Sequence, residues 1–293
     1  MTSMTGEPLS ARGVLCEGSK RLRRGGIVNA EHEAEWLLAE LARIPALVLY
    51  LEERRLPPET IERFFCLVQA RVRGTPLQYL LGEAEFCGRR FSVEPGVFIP
   101  RPETEALLEA VAPSLRALHG RRRRPLRLLD VGTGSGAIAV TLALELPACV
   151  IVGLEVSWSA LQVAQRNAAR NGVASRVCLV QGEWLQPIHG TFDGIISNPP
   201  YISSRHVDDL PLDVRQEPRL SLDGGSDGMA ALKHLFSQAP RILAPHGLLG
   251  LECAEDQVAP LLQAARRAPW VGAAVALNDL ASRPRGVLVT RAG

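Results

Sequence analysis

The segment LLDVGTGSGAIAVTLA, residues 128 to 143, constrains the fold of this 293-residue chain more than any other stretch. An apolar run typical of a buried strand ends at Val131, glycines follow at positions 132, 134 and 136, and an apolar helical pattern begins at residue 137. Glycine tolerates positive φ and lets a ligand approach the backbone, because it has no Cβ. The order predicts a strand, a turn that can bind a ligand, and a helix. Tight turns of this kind also occur without any ligand.

Strands and helices alternate from about residue 101 onward. Helical patterns cover residues 137 to 146 and 158 to 171, and the strand candidates are residues 126 to 131, 149 to 156, 176 to 181, 192 to 197, 247 to 252, 270 to 277 and 286 to 292. Continuous apolar strands with helical crossovers predict an α/β fold whose parallel sheet is covered on both faces. The last two strands are joined by a loop too short for a helical crossover, so we expect them to pair antiparallel at an edge.

The N-terminal part has a helical pattern. Residues 29 to 43 place four apolar side chains on one helical face, with Asn29 as a plausible N-cap, and a second helix is predicted from about residue 58 to 73. Residues 86 to 100 are rich in aromatic and β-branched residues and contain turn signals, which predicts a hairpin. We therefore predict a small helical domain over residues 1 to 78, a β-hairpin linker over 79 to 100, and the α/β domain over 101 to 293.

Composition narrows the class of protein. A formal net charge of +2 gives no electrostatic case for a phosphate backbone as partner. Apolar runs fall short of the roughly 18 residues that span a bilayer, and the first residues lack a signal-peptide core. The six cysteines are scattered without a CxxC pair, which is typical of a reducing compartment. We expect a monomeric cytoplasmic protein, or a mitochondrial-matrix one in a eukaryote, with no metal site, no membrane contact and no stable nucleic-acid binding.

Two weaker features have ordinary interpretations. The run Arg121 to Arg124 precedes a predicted strand and is interpreted as a solvated loop, with a nucleic-acid or ribosome contact as the alternative. His206, His234 and His246 show no metal-ligand spacing, so we expect them on the surface or in turns.

A carboxylate at the end of the next strand favours a nucleoside as the ligand of the glycine turn. Glu155 ends the next predicted strand, where its carboxylate can accept hydrogen bonds from two ribose hydroxyls. Trp184 follows the third strand and can stack on a purine, although it could instead cap the core. The turn read as GxGxxA could also serve a dinucleotide.

The second chemical signal is NPPY, Asn198 to Tyr201, directly after the fourth strand. The prolines fix φ and remove two backbone donors, which leaves their carbonyls as acceptors, and the asparagine side chain adds another. Together these acceptors can hold both hydrogens of a planar –NH2 group and aim its nitrogen at a methyl donor. An ordinary strand-ending turn is the alternative.

The residues now support a resemblance. Asp130-Val-Gly-Thr-Gly-Ser-Gly resembles motif I of the class I S-adenosylmethionine-dependent methyltransferases, and NPPY after such a turn occurs in amino-group DNA or RNA methyltransferases and in protein glutamine methyltransferases. Residues 74 to 109, 213 to 229 and 279 to 289 resemble the peptide-chain release factor glutamine methyltransferases, the HemK/PrmC family. The resemblance covers nearly the whole chain, and it implies a seven-stranded, mostly parallel, Rossmann-like methyltransferase sheet with an N-terminal helical domain for substrate recognition.

The resemblance also implies the reaction and the site. A methyl group would pass from S-adenosylmethionine to the side-chain amide nitrogen of the glutamine in the release factor GGQ motif, giving N5-methylglutamine and S-adenosylhomocysteine. The implied catalytic residues are Asn198, Pro199, Pro200 and Tyr201. The implied cofactor-binding residues are Gly132, Thr133, Gly134, Ser135, Gly136, Glu155, Trp184 and Asn198. Glu155 and Glu183 stand where aspartate is common in the family, and LECAEDQ after the fifth strand lacks the glycine-containing turn often found there.

Three alternatives remain. A nucleic-acid amino methyltransferase would need a flipped base and a basic face or recognition module, which the short helical domain does not suggest. A related branch modifies a ribosomal protein, but IPRPETE, residues 99 to 105, is closer to the release factor branch. A nicotinamide-dependent oxidoreductase would leave NPPY unexplained. Arg101, Glu103 and Glu105 could line the mouth of the active site or simply begin a helix.

Overall fold

The computed structural model describes residues 10–51, 55–122, 124–279 and 281–293, and the chain divides into two compact units. The first unit is Met1–Gly82 together with Pro211–Gln216, and the second is Glu83–Leu210 together with Glu217–Gly293. The chain therefore passes between the units three times.

The first unit is helical within its described residues. Ser10 caps the first helix by accepting a hydrogen bond from the Gly13 N–H at 3.2 Å, and Pro58 begins the fourth at a position where its missing N–H costs nothing. The helices predicted over 29 to 43 and 58 to 73 are confirmed to within a residue, and Asn29 is at the N-cap without a side-chain capping bond. The helices are α1 Ala11–Arg24, α2 Ala30–Ala42, α3 Val48–Leu51, α4 Pro58–Val72 and α5 Leu77–Leu81.

A buried arginine forms an ion pair with the segment Pro211–Gln216 inside the first unit. Arg71 is only 8% exposed, and its guanidinium donates to both carboxylate oxygens of Glu33, at 2.6 and 3.1 Å. It also donates to Asp213 Oδ2 at 3.1 Å. Bidentate pairing with a carboxylate matches the planar arrangement of the guanidinium donors, so the Glu33 contact both orients the Arg71 side chain and neutralises its charge.

The second unit begins with a two-stranded hairpin, β1 Glu83–Phe86 and β2 Arg89–Ser92, followed by α6 Pro102–Arg121. The hairpin lies inside the predicted linker of residues 79 to 100; β1 begins before the segment 86 to 100, because the turn is made by Cys87 and Gly88. Both have positive φ, 49° and 66°, as a two-residue turn that matches strand twist requires.

A seven-stranded sheet forms the centre of the second unit, with spatial order β5-β4-β3-β6-β7-β9-β8. The strands are β3 Leu126–Val131, β4 Cys149–Glu155, β5 Val177–Gln181, β6 Phe192–Ser197, β7 Leu243–Glu252, β8 Val271–Asn278 and β9 Pro284–Arg291. Strands β3 to β7 are parallel, while β9 pairs antiparallel with both β7 and β8. The predicted mostly parallel sheet with an antiparallel edge is confirmed.

Helices cover this sheet, and apolar side chains from both fill two large buried clusters. The helical patterns predicted over 137 to 146 and 158 to 171 are confirmed. The remaining helices are α7 Ala137–Glu145, α8 Trp158–Arg170, α9 Ser204–Val207, α10 Ala230–Ile242 and α11 Glu255–Arg267, with 3₁₀ turns at Val214–Gln216 and Arg219–Ser221.

Arginines before β3 neutralise a carboxylate inside the sheet. Asp193 in β6 is fully buried and accepts hydrogen bonds from Arg124 Nη1 and Nη2, at 2.8 and 2.9 Å, and from the Arg127 N–H at 2.9 Å. Arg122 Nε lies 3.5 Å from the same carboxylate. The interpretation of this run as a simple solvated loop is therefore wrong for Arg122 and Arg124; Arg123 lies outside the described residues.

Two further findings concern the described ranges alone. No helix in them combines the length and apolar composition needed to cross a bilayer. They also contain no group of three or more His, Cys, Asp or Glu side chains placed to hold a metal ion.

Candidate active site

Three strands of the sheet bring the predicted site residues to one edge. In the β3–β4 register Val131 lies opposite Leu154, and in the β3–β6 register it lies opposite Ser197. Gly132 and Asn198, which follow β3 and β6, consequently meet Glu155, the last residue of β4, at the carboxyl ends, where open α/β sheets bind ligands. A cavity of about 410 Å³ opens there, which is within the usual range for small-molecule sites. Predicted residues that line it are Gly132, Gly134, Glu155, Trp184, Asn198, Pro199 and Pro200.

The glycines after β3 have two different roles. Gly132 and Gly134, with φ of 73° and 54°, line the cavity, and a Cβ at Gly132 would meet nothing within 4 Å. Gly136 instead permits close packing of α7 on α8, because a Cβ there would lie 3.1 Å from the Ala164 Cβ. The turn thus presents bare backbone to the cavity on one side and packs tightly on the other.

The Asp130 side chain stabilises the glycine turn through hydrogen bonds. Its Oδ2 accepts hydrogen bonds from Thr133 Oγ1 at 2.6 Å and from the Ala139 N–H at 3.1 Å, while Oδ1 has no partner among the residues that the structure describes. Burial raises the pKa of Asp130 to about 7, with the Glu155 carboxylate adding to the shift and the two hydrogen bonds opposing it. Thr133 and Ser135 are themselves buried, so their side chains shape the turn.

Glu155 connects the turn to the start of α8. Its Oε2 accepts a hydrogen bond from the Gly134 N–H at 3.0 Å, and its Oε1 accepts from the N–H groups of Val156 and Ser157 at 2.9 and 3.0 Å. An ionised carboxylate has about four acceptor positions. Three of these positions are occupied by the N–H donors, so one ribose hydroxyl can bind Glu155 without displacing a backbone donor.

Trp184 both packs on the core and lines the cavity. Its backbone has a φ of 52°, and its ring lies 5.2 Å from the His234 ring at a tilt of 42°. The two interpretations of Trp184, as a core residue and as a wall for a planar ligand, are compatible. Phe98 and Leu220 also line the cavity, and no pattern in the sequence distinguishes them.

The NPPY residues are joined to α6 and β7 by a hydrogen-bond network. Asn198 Nδ2 donates to Thr104 Oγ1 at 2.8 Å, and Thr104 Oγ1 donates to Glu252 Oε2 at 2.7 Å. The Tyr201 hydroxyl donates to Glu252 Oε1 at 3.1 Å, and the Tyr201 carbonyl accepts from Gln257 Nε2 at 2.8 Å. Sequence reasoning missed Thr104 and Glu252, although an acidic residue at the end of an apolar strand was a usable signal for Glu252.

Burial dominates the electrostatics of this network. It raises the pKa of Glu252 to about 7 against the hydrogen bonds from Thr104 and Tyr201. Burial and the Glu252 carboxylate raise the pKa of Tyr201 far above its usual range. Tyr201 is therefore a neutral hydrogen-bond donor at physiological pH.

The acids and arginine at the start of α6 have separate partners. Arg101 pairs with Glu217, which is 4% exposed and accepts the Ile99 N–H at 2.9 Å, and its guanidinium lies 5.1 Å from the centre of the Phe98 ring. Glu105 accepts the Cys87 N–H at 2.9 Å and so connects α6 to the hairpin. Glu103 is in the first turn of α6, near the positive end of the helix dipole.

Two family models and several curated relatives match this chain, and both kinds of comparison point to methyltransferases. The model of the PrmC N-terminal domain matches residues 14–82, and that of the methyltransferase small domain matches residues 91–212. The chain is 41% identical over 286 residues to the release factor glutamine methyltransferase of Moorella thermoacetica, covering 97% of this chain and 99% of that protein. It is 36% identical over 286 residues to the enzyme of the same name from Bradyrhizobium diazoefficiens, covering 97% and 95% of the two chains.

A solved structure supports the fold alone. The catalytic domain of human METTL16, in complex with a MAT2A 3′UTR hairpin, matches with a TM-score of 0.54 at 14% identity. The match covers 83% of this chain and 84% of that one.

Proposed function

The chain belongs to the release factor glutamine methyltransferase family, and we propose that the cavity at the ends of β3, β4 and β6 is where it carries out the family's reaction. It is an S-adenosylmethionine-dependent enzyme that methylates the side-chain amide nitrogen of a release factor glutamine. We place that glutamine in the GGQ motif of the release factor. The observation that carries this proposal is the convergence of Gly132 and Gly134, Glu155, and residues 198–200 of NPPY on one cavity.

The residues on the cofactor side fit S-adenosylmethionine. Gly132 and Gly134 leave the backbone open to a ligand, Glu155 keeps an acceptor position for a ribose hydroxyl, and Trp184 offers an aromatic wall for a purine. When bound, S-adenosylmethionine supplies an electrophilic methyl group on its sulfonium sulfur. The protein's part is to hold that ligand in one orientation.

The residues on the substrate side suit a planar amide. Asn198 Nδ2 donates a hydrogen bond to Thr104 Oγ1, which leaves Asn198 Oδ1 free to accept a hydrogen bond from the substrate. Asn198 Oδ1 and a proline carbonyl can together accept hydrogen bonds from both hydrogens of a glutamine –NH2 group. The amide nitrogen is a poor nucleophile, because its lone pair is delocalised, so orientation and preorganised acceptors would lower the barrier as positive charge develops on nitrogen.

We further propose that residues 1 to 78 recognise the release factor, that 79 to 100 form a linker, and that 101 to 293 carry the chemistry. The separate family models over 14–82 and 91–212 support this division. We also propose that the enzyme acts in the cytoplasm as a monomer, without stable binding to nucleic acid.

A transfer assay tests the function. Purified protein is incubated with methyl-labelled S-adenosylmethionine and a release factor, in parallel with the same factor carrying a replaced GGQ glutamine. We expect label only in the unaltered factor. We also expect Asn198→Ala to lower kcat at least about 100-fold, on the scale of lost oriented hydrogen bonds, with cofactor affinity largely kept. Label in nucleic acid, or equal label in the replaced factor, would contradict the proposal.

A further inference from the structure

Asn198, Thr104, Glu252 and Tyr201 form a continuous hydrogen-bonded chain behind the cavity. We propose that Thr104 and Glu252 are positioning residues that fix the Asn198 amide so that Oδ1, and not its –NH2 group, faces the nitrogen to be methylated. This inference rests on the proposed function, since it concerns how the same site holds its substrate.

The hydrogens of the chain can be assigned one by one. A threonine hydroxyl has a single hydrogen, and an ionised carboxylate can only accept. The Thr104 hydrogen therefore points at Glu252 Oε2, 2.7 Å away, and the oxygen can only accept from Asn198. Asn198 Nδ2 donates to this oxygen at 2.8 Å, which leaves Oδ1 as the amide atom on the other side. The ionised Glu252 carboxylate therefore determines which way the Asn198 amide is oriented.

The opposite amide orientation is disfavoured while Glu252 is ionised. With Oδ1 turned toward Thr104, the hydroxyl hydrogen would have to leave Glu252 to avoid two facing acceptors. Glu252 is 1% exposed and Thr104 4%, so water cannot readily replace the lost donor. Tyr201 cannot compensate, because its hydroxyl hydrogen is already donated to the other carboxylate oxygen, Oε1.

Protonation of Glu252 would release the constraint. A neutral Glu252 can donate to Thr104 Oγ1, and the Thr104 hydroxyl is then free to donate its own hydrogen to Asn198 Oδ1 of the reversed amide. The reversed amide presents N–H groups to the N–H groups of the substrate, which repel. Protonation of Glu252 therefore allows the Asn198 amide to reverse, so that Oδ1 no longer faces the substrate nitrogen.

The groups around Glu252 place this change near neutral pH. Burial and the Glu103 carboxylate raise the pKa of Glu252 to about 7, while Arg285 opposes the shift with its positive charge. The neighbouring Cys253 stays neutral, since burial and Glu252 raise the pKa of its thiol to about 12. Tyr201 also stays neutral, so Glu252 is the group of this cluster that titrates in the working range.

Matched threonine variants test the role of the chain. Thr104→Val removes the hydroxyl but keeps the shape, Thr104→Ser restores the hydroxyl, and Thr141→Val makes the same change at a buried threonine of α7. The full-length enzyme is assayed with a release factor from pH 5.5 to 8.5, and the dissociation constant for S-adenosylmethionine is measured by calorimetry.

We expect Thr104→Val to lower kcat at pH 8 at least about 30-fold, with the cofactor dissociation constant within threefold of wild type, and Thr104→Ser to restore kcat to within about threefold. In wild type, kcat/KM should fall about tenfold per pH unit below an apparent pKa near 7, and this acid limb should disappear in Thr104→Val. Thr141→Val should keep both kcat and the acid limb.

Three results would overturn the positioning role: an active wild type with an unaffected Thr104→Val variant, a serine variant as impaired as the valine variant, or an acid limb unchanged by Thr104→Val. A wild-type enzyme that leaves the release factor unlabelled defeats the proposed function instead, and the positioning role falls with it.

Discussion

Asp130 links the stability of the glycine turn to pH. The pKa of this buried carboxyl group is about 7 in the folded protein, against about 3.9 in an unfolded chain. Between these values the folded state holds a proton that the unfolded state has released, so the stabilising contribution is complete below about pH 4 and is lost as pH rises to about 7. Asp130→Asn removes this slope. We expect the difference in unfolding free energy between wild type and variant to change by roughly 2 kcal/mol from pH 5 to 6.5.

Urea denaturation of cofactor-free protein measures this difference, and Asp209→Asn, at an exposed position, is the matched control. Parallel stability curves for wild type and Asp130→Asn over that interval would show that Asp130 is already ionised in the folded protein.

Single residues of the site differ in how far the sequence reveals them. Gly132, Glu155 and Asn198 each lie at or just after the carboxyl end of a parallel strand, so a local pattern was enough to predict that they meet. Thr104 contacts Asn198 from a helix 94 residues earlier in the chain. Only tertiary packing creates that contact, and no local periodicity encodes it.

At the scale of elements, β6 combines a fully buried strand with a fully buried charge, Asp193. Arg124 supplies two of its hydrogen bonds from the segment before β3. Removing one partner of a buried charge leaves that charge under-compensated. We therefore expect Arg124→Ala to lower the free energy of unfolding by about 1–3 kcal/mol, because Arg122 and the Arg127 N–H still contact the carboxylate.

Arg121→Ala is the control for this change, since Arg121 is exposed at the end of α6. Its effect should stay within about 0.5 kcal/mol in the same urea titration. Equal stability of the two variants would mean that Arg122 alone neutralises Asp193.

Element boundaries were predictable where burial and periodicity agree. The predicted bounds of β3 and β6 match those of the structure, because both strands are apolar runs ended by turn residues. The start of β7 was missed because it contains Pro245 and His246, the latter at a φ of 59°. The hairpin lies inside the predicted linker of residues 79 to 100, and Gly88 is one of the turn signals that predicted it. Its first strand begins before the segment 86 to 100, since the positive φ of Cys87 is not signalled by a cysteine.

For the whole molecule, the sequence predicts three contiguous domains, since periodicity is a local property. The structure assigns Pro211–Gln216 to the first unit although its neighbours in the sequence belong to the second. The ion pair from Arg71 to Asp213 and the packing of Leu212 beside Gly74 join this segment to the first unit, and no pattern within residues 211–216 predicts either contact.

Arg71 should therefore control the local stability of this segment. The N–H groups of Val214, Arg215 and Gln216 donate to Asp213 Oδ1, the Pro211 carbonyl and the Asp213 carbonyl, at 3.0, 3.1 and 3.1 Å, so they are protected while Asp213 is held. We expect Arg71→Ala to speed their hydrogen exchange at least about tenfold, the equivalent of about 1.4 kcal/mol of local opening free energy. Arg73→Ala, an exposed arginine beyond the end of α4, should leave these rates unchanged. Exchange mass spectrometry of peptides spanning 205–220 measures the effect, and equal rates in the Arg71→Ala variant and wild type would show that apolar packing, not the Arg71–Asp213 pair, holds the segment in the first unit.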